Sequence, residues 1–119
     1  VIEKNPNKKH FCIFDELYSG TNPYEAISSA YSYLNYISKN KNVRFLLTTH
    51  YIRLCNLFKK KKNISNKSMK TLFNKNTEPI YTYKIIQGIS IVKGGVSVLK
   101  NLNYPQKIIN STNDILDKI

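Results

Sequence analysis

The chain has 119 residues and a formal net charge of +12, with 17 lysines and only two arginines, Arg44 and Arg53. That length bounds it to one domain or part of one with a modest core, and its two cysteines, Cys12 and Cys55, lie in apolar stretches with no CxxC and no His at ligand spacing, which excludes a disulfide scaffold or a zinc centre. No run approaches the roughly 18 apolar residues that span a membrane, and Val1-Ile2-Glu3-Lys4-Asn5 does not read as a signal peptide, so an intracellular protein with no membrane partner is expected.

Residues 1 to 9 are polar and rich in Lys and Asn, which reads as a loop. The first strand is expected at about His10 to Phe14, and Val43 to Thr48 repeats its pattern. Both runs are apolar almost throughout, as in parallel strands covered on both faces, with polar residues only at their C-terminal ends. Between them, Asn22 is a candidate N-cap, Pro23 suits the first helical position and Glu25 follows three residues after the cap. Ala26, Ile27, Ala30, Tyr31, Leu34 and Ile37 then recur at helical spacing, predicting an amphipathic helix that ends near Ser38. Lys39 to Asn42 makes the turn back, and the crossover is expected to be right-handed.

A short helix is predicted over Tyr51 to Phe58, followed by the Lys59–Lys62 run, which reads as a solvated loop, with contact to DNA or a partner as the alternative. Ser65 to Phe73 and Ile80 to Ile86 read as strands of a hairpin around Asn74-Lys75-Asn76-Thr77, flanking the sheet as antiparallel edge strands. Gly94-Gly95 breaks the pattern, Val96 to Leu102 forms a short helix and Pro105 begins the last one. Ile108, Thr112, Ile115, Leu116 and Ile119 are expected to line one face of that helix, and Ile108, Ile109, Ile115, Leu116 and Ile119 together make a surplus of apolar surface that suggests an interface.

The chemistry concentrates at two strand ends. Asp15-Glu16 closes the first apolar run and His50 follows the second, 34 residues after Glu16. In an open α/β sheet ligands bind beyond the carboxyl ends of the strands, so topology brings Asp15, Glu16 and His50 to one crevice. Paired acids after a strand suggest metal–nucleotide chemistry. For His50 the plainer alternative is a cap on the following helix, and for Ser19-Gly20-Thr21-Asn22 it is a turn with an N-cap.

The segment between the strands sharpens this reading. Asp15-Glu16, Tyr18-Ser19-Gly20-Thr21-Asn22-Pro23-Tyr24-Glu25-Ala26 and Thr48-Thr49-His50-Tyr51, in that order and spacing, resemble the MutS family of mismatch-repair ATPases. Tyr83-Lys84-Ile85-Ile86-Gln87-Gly88-Ile89-Ser90, Gly95 and Leu102-Asn103-Tyr104-Pro105 extend the resemblance over nearly the whole chain. Many members carry Gly-Arg-Gly-Thr where this chain has Tyr18-Ser19-Gly20-Thr21, so the arginine of that pattern is missing.

The resemblance implies an α/β fold that is part of an ABC-type P-loop NTPase: a mostly parallel sheet with flanking helices over residues 1–90, then a helix-turn-helix over 91–119 that joins two subunits. It implies ATP and Mg²⁺ as cofactors. Asp15 becomes the acid that organises Mg²⁺ through water, Glu16 the residue that orients the water attacking the γ-phosphate, and His50, with Thr49 beside it, the group that approaches that phosphate. Ser19, Gly20, Thr21 and Asn22 match a loop lying across the dimer interface. The implied partners are a second MutS-like subunit and, through other domains, double-stranded DNA with mismatches or lesions.

There is no Gly-rich loop ending in Lys-Ser/Thr, and in this family that loop lies upstream of the paired acids, so a fragment that binds ATP poorly by itself is expected. Two other readings stand beside this one: a non-catalytic dimerisation module, and another ABC-type ATPase of DNA maintenance, which shares the acids and the His but not the Tyr83-to-Pro105 segment. The excess lysine also has two readings. Asn and Ile each occur fifteen times, the codon bias of an AT-rich genome such as a viral or organellar one, whereas contact with nucleic-acid phosphates requires clustered charge.

Overall fold

The computed structural model describes residues 1–92 and 94–119, which form two compact units: residues 1–66 with 87–89, and residues 67–86 with 90–119. The first is a β–α–β–α unit of β1 (His10–Asp15), α1 (Pro23–Ser38), β2 (Val43–Thr48) and α2 (Ile52–Phe58). β1 and β2 pair in parallel, His10 opposite Val43 through to Asp15 opposite Thr48, so the two strands end level with each other.

Helix α1 begins and ends where its sequence signals lie. The Asn22 side chain accepts a hydrogen bond from the Tyr24 N–H at 2.9 Å, and Pro23 occupies the first turn, where its missing donor costs nothing. Ala26, Ala30, Leu34 and Ile37 are buried along one stripe, and α2 adds Leu54 and Phe58. Ala30, Leu34, Ile37, Val43, Leu54 and Phe58 form the core, with Cys12, Phe14, Phe45 and Leu47 packed against it from one sheet face. Ring contacts set this packing. Tyr31 stacks on Phe58 with centroids 4.9 Å apart, and Phe14 meets Tyr33 edge-on at 5.7 Å. Both cysteines are free and half-buried, and burial pushes the Cys55 thiol above its ordinary pKa, which suits an inert packing role.

Three expectations for this unit are corrected. The strands are not covered on both faces. Side chains alternate across a strand, and α1 covers only the Cys12–Phe14 side, leaving Phe11 and Ile13 of β1 and Leu46 of β2 exposed. The helix after β2 starts at Ile52, with Tyr51 at its N-cap. Residues 1–9 are a tethered set of turns rather than an open loop: Ile2 packs on the core, Tyr36 donates to Glu3 at 2.8 Å, and Asn42 donates to the Pro6 carbonyl at 3.1 Å.

The second unit holds β3 (Lys67–Phe73), β4 (Pro79–Gln87), α3 (Gly94–Asn101) and α4 (Gln106–Leu116). β3 and β4 pair across a connection too short for anything but an antiparallel hairpin, and Asn74 clamps its turn by accepting from the N–H groups of Asn76 and Glu78, both at 2.9 Å. This hairpin is its own two-stranded sheet, not an edge of the β1–β2 sheet. The sheets are therefore one parallel pair and one antiparallel pair, where a mostly parallel sheet was expected.

Gly94-Gly95 does not interrupt the chain here; both glycines lie in the first turn of α3, where several N–H groups lack helical partners in any case. The other end of α3 closes as a Schellman motif. The Asn103 N–H donates to the Lys100 carbonyl and the Tyr104 N–H to the Leu99 carbonyl, both at 3.0 Å, with Asn103 left-handed at φ 55°. Pro105 then stands at the N-cap of α4 rather than inside it. The buried face of α4 is also different from the expected one. Ile109 is the buried residue, with Thr112 and Leu116 half-buried at positions that continue its stripe, whereas Ile108, Ile115 and Ile119 are exposed.

Candidate functional site

The level ends of β1 and β2 place Asp15 beside Thr48, and the Thr48 hydroxyl donates to the Asp15 carboxylate. One residue on, the Glu16 N–H donates to the Thr48 carbonyl at 2.9 Å, extending the ladder past the last strand residue. The backbone then leaves the extended region: Glu16 has φ 48° and Tyr18 φ 63°, left-handed conformations that cost a non-glycine residue about 1–2 kcal/mol each. Two such residues in three mark a turn whose shape is imposed. It is closed by the Ser19 N–H donating to the Glu16 carbonyl at 3.0 Å.

This turn brings the Glu16 carboxylate to His50, with Glu16 Oε1 2.7 Å from His50 Nε2. His50 therefore does not cap α2. That helix has no side-chain cap at its N-terminus, and the Thr49 hydroxyl serves its approach instead, accepting from the Tyr51 N–H at 3.0 Å. The His50 side chain is 88% exposed and that of Glu16 45%, so the pair is solvent-screened and worth at most about 1 kcal/mol. A contact that weak can be exchanged for one to a ligand at little cost. Beside it, Arg53 of α2 lies over the Tyr24 ring at 5.5 Å, fastening the starts of α1 and α2 to each other.

The residues singled out from sequence thus separate into two groups. Asp15, Glu16 and His50 converge at one edge, joined by Thr48, which the sequence reading named only as part of a motif. The signal for Thr48 was its position: equal-length strands in register put it opposite Asp15. Ser19, Gly20, Thr21 and Asn22 form the exposed stretch leading into α1; the Ser19 N–H closes the preceding turn, and Asn22 is the one whose side chain has a local task, as N-cap. Gly20 is not left-handed, and a Cβ there would meet nothing within 4 Å, so nothing in this chain requires a glycine at that position.

A divalent metal can be tested against this donor set. Asp15 has one carboxylate oxygen engaged by Thr48 and the other free, and no cluster of three or more His, Cys, Asp or Glu exists among the described residues. Such a site cannot cage an ion with protein ligands alone, but it fits Mg²⁺, which keeps much of its water and is held through one or two carboxylates plus phosphate oxygens.

Comparison with known proteins identifies the family. The family model described as MutS domain V matches residues 1–119. A DNA mismatch repair protein MutS of Clostridium botulinum (strain Loch Maree / Type A3) is 35% identical over 120 residues, covering 99% of this chain and 13% of the relative. Its namesake in Orientia tsutsugamushi (strain Ikeda) is 35% identical over 116 residues, covering 98% of this chain and again 13% of the relative. The chain therefore spans about an eighth of the length of these relatives. No helix among the described residues is long and apolar enough to cross a membrane. With an α/β fold, a matched domain model along its full length and relatives above 30% identity, this chain belongs to the MutS family, as a domain V sequence.

Proposed function

We propose that this chain is the C-terminal half of an ATPase domain within a longer MutS-like mismatch-repair protein, and that it contributes the metal-organising and water-orienting side of a nucleotide site. The observation that supports this most is the convergence of Asp15, Thr48, Glu16 and His50 at the carboxyl edge of a parallel strand pair. Mg²⁺, when bound with ATP, would supply charge neutralisation at the β- and γ-phosphates.

The chain's own residues have distinct tasks in this reading. Asp15 accepts from Thr48 through one oxygen and offers the other to metal-bound water. Glu16, held by its left-handed backbone, is an acceptor able to orient a water for attack. His50 is a donor near the developing negative charge, and its exposed pairing with Glu16 is what an entering phosphate would displace. Displacement of the imidazole frees the Glu16 carboxylate for water. Ser19, Gly20, Thr21 and Asn22 face a second subunit, which would give the exposed Gly20 its purpose. α3 and α4 form a helix-turn-helix that joins subunits, with Ile108 and Ile115 as its uncovered apolar residues.

The cradle for the β- and γ-phosphates would come from outside these 119 residues, as would the domains that grip mismatched or damaged DNA. Titration of the 119-residue chain with fluorescent ATP and Mg²⁺ is therefore expected to give a dissociation constant of about 1 mM or weaker, with no measurable hydrolysis. That value corresponds to no more than about 4 kcal/mol of binding, the scale left to a site with no phosphate cradle. Micromolar affinity would contradict the proposal. A non-catalytic dimerisation module remains the second reading, favoured by the exposure of Ile108 and Ile115, and it assigns no role to the Glu16–His50 contact.

A further inference from the structure

Charge is not spread evenly over the first unit. Its four acids are Glu3, Asp15, Glu16 and Glu25, and three of them sit at the carboxyl edge of the strands or in the first turn of α1, which starts there. The opposite edge, five residues or roughly 17 Å back along the strands, is basic. Lys9, His10, Phe11, Lys41, Asn42 and Arg44 line a shallow concavity of about 380 Å³ at the first residues of β1 and β2. The Arg44 guanidinium is turned onto that rim by donating to the carbonyls of Lys41 and Val43, at 3.4 and 3.3 Å.

The Lys59–Lys62 run gathers at the same end. Asn63 donates to the Ser38 carbonyl at 3.1 Å, which holds the end of this run beside the C-terminus of α1, one residue from Lys39. Lys9, Lys39, Lys41 and Lys60 are exposed, and no carboxylate engages them among the described residues. Among the described residues of this unit, Glu3 is the one acid at this end, and it is occupied by the Tyr36 hydroxyl at 2.8 Å.

We infer that this basic end is a contact surface for the phosphate backbone of duplex DNA, read without regard to sequence. Charge segregation of this kind supplies the clustering that backbone contact needs and that a high lysine content does not by itself provide. Lysines on flexible stems act as point charges that suit phosphates spaced along a duplex, whereas reading bases would call for forked Arg or Asn/Gln contacts, and here Arg44 and Asn42 already donate to the carbonyls of Lys41, Val43 and Pro6. Binding a single strand would call for a row of stacking aromatics, and Phe11 is the only phenylalanine in the concavity. The contact is independent of the nucleotide site, which lies at the other end of the strands.

The test compares two triple variants of the 119-residue chain that have equal net charge. One is Lys9→Gln, Lys41→Gln, Lys60→Gln in the cluster; the other is Lys70→Gln, Lys75→Gln, Lys84→Gln in the second unit. Binding to a fluorescein-labelled 30-base-pair duplex is followed by anisotropy from about 50 to 200 mM salt, with circular dichroism to confirm that each variant is folded. The cluster variant is expected to bind about tenfold more weakly and to lose between two and three from the slope of log K against log salt, whereas the second variant changes less than about twofold. Lys→Arg at the same cluster positions should restore binding. Equal losses in the two triple variants would show that net charge alone drives binding and would overturn the inference. So would displacement of the duplex by poly-glutamate at equal charge concentration, which would assign the surface to acidic protein. Acetylation footprinting of the unmutated chain gives a readout that needs no variant: duplex DNA should protect Lys9, Lys41 and Lys60 more than Lys70 and Lys84, and uniform protection counts against the proposal.

Discussion

Glu16→Gln, made in the longer polypeptide proposed above, is expected to leave ATP binding intact while slowing hydrolysis by roughly 10²-fold or more, the scale of a lost water-orienting base. The substitution keeps the size of the side chain and one acceptor oxygen but removes the charge. It also alters the contact with His50, and because that contact is solvent-screened its loss should barely affect folding. A drop in rate without a drop in stability is therefore the expected signature. Asp15→Asn should behave differently, raising the Mg²⁺ concentration needed for activity, because Asp15 offers its free oxygen to metal-bound water and not to the attacking one. Single-turnover hydrolysis measured across a Mg²⁺ series separates the two effects. Parental rates for Glu16→Gln would remove Glu16 from the assigned role.

Leu54→Ala is expected to destabilise the first unit by about 3 kcal/mol, within the range for burying a cavity in place of a leucine. Leu54 is 1% exposed and sits in the core with Leu34 and Phe58. Its helix has seven residues and no side-chain cap at its N-terminus, so α2 depends on Leu54 and Phe58 rather than on its own helix propensity. A unit of this size has only a few kcal/mol of stability, and the loss should leave a large unfolded fraction at 25 °C. Leu57→Ala, on the half-exposed side of the same helix, should cost less than about 1 kcal/mol. Urea unfolding followed by circular dichroism distinguishes them, and equal midpoints for the two variants would show that Leu54 is not a core residue.

Much of the first unit was legible because its signals are local. Asn22 and Pro23 mark the start of α1 through the chemistry of the first helical turn, and the two apolar runs mark β1 and β2. What covers the strands was not legible. Apolar residues on both faces of a run, Phe11 and Ile13 on one and Cys12 and Phe14 on the other, say that both faces can be buried but not that this chain buries both. The left-handed backbone at Glu16 and Tyr18 was hidden for a related reason, since neither is the glycine or asparagine that ordinarily advertises it. At Gly94-Gly95 the error ran the other way, because glycine weakens a helix interior far more than its first turn. In α4 the expected face left out Ile109, which was read as surplus apolar surface, and packing selected it as the buried residue.

The site followed the same division. Convergence of Asp15, Glu16 and His50 was legible because topology alone brings strand ends together. The 2.7 Å contact between Glu16 and His50 was not, because it depends on the left-handed turn.

The central claim is that this edge receives a metal-bound nucleotide, and paramagnetic broadening tests it most directly. Amide spectra of the ¹⁵N-labelled 119-residue chain would be recorded as Mn²⁺ and ATP are added together, since weak binding still broadens signals close to the metal. The amides of Asp15, Glu16, Thr48 and His50 should lose intensity first, and that selectivity should disappear in Asp15→Asn. Broadening led by another part of the chain, or selective broadening that survives Asp15→Asn unchanged, would contradict the assignment of this edge as the nucleotide site.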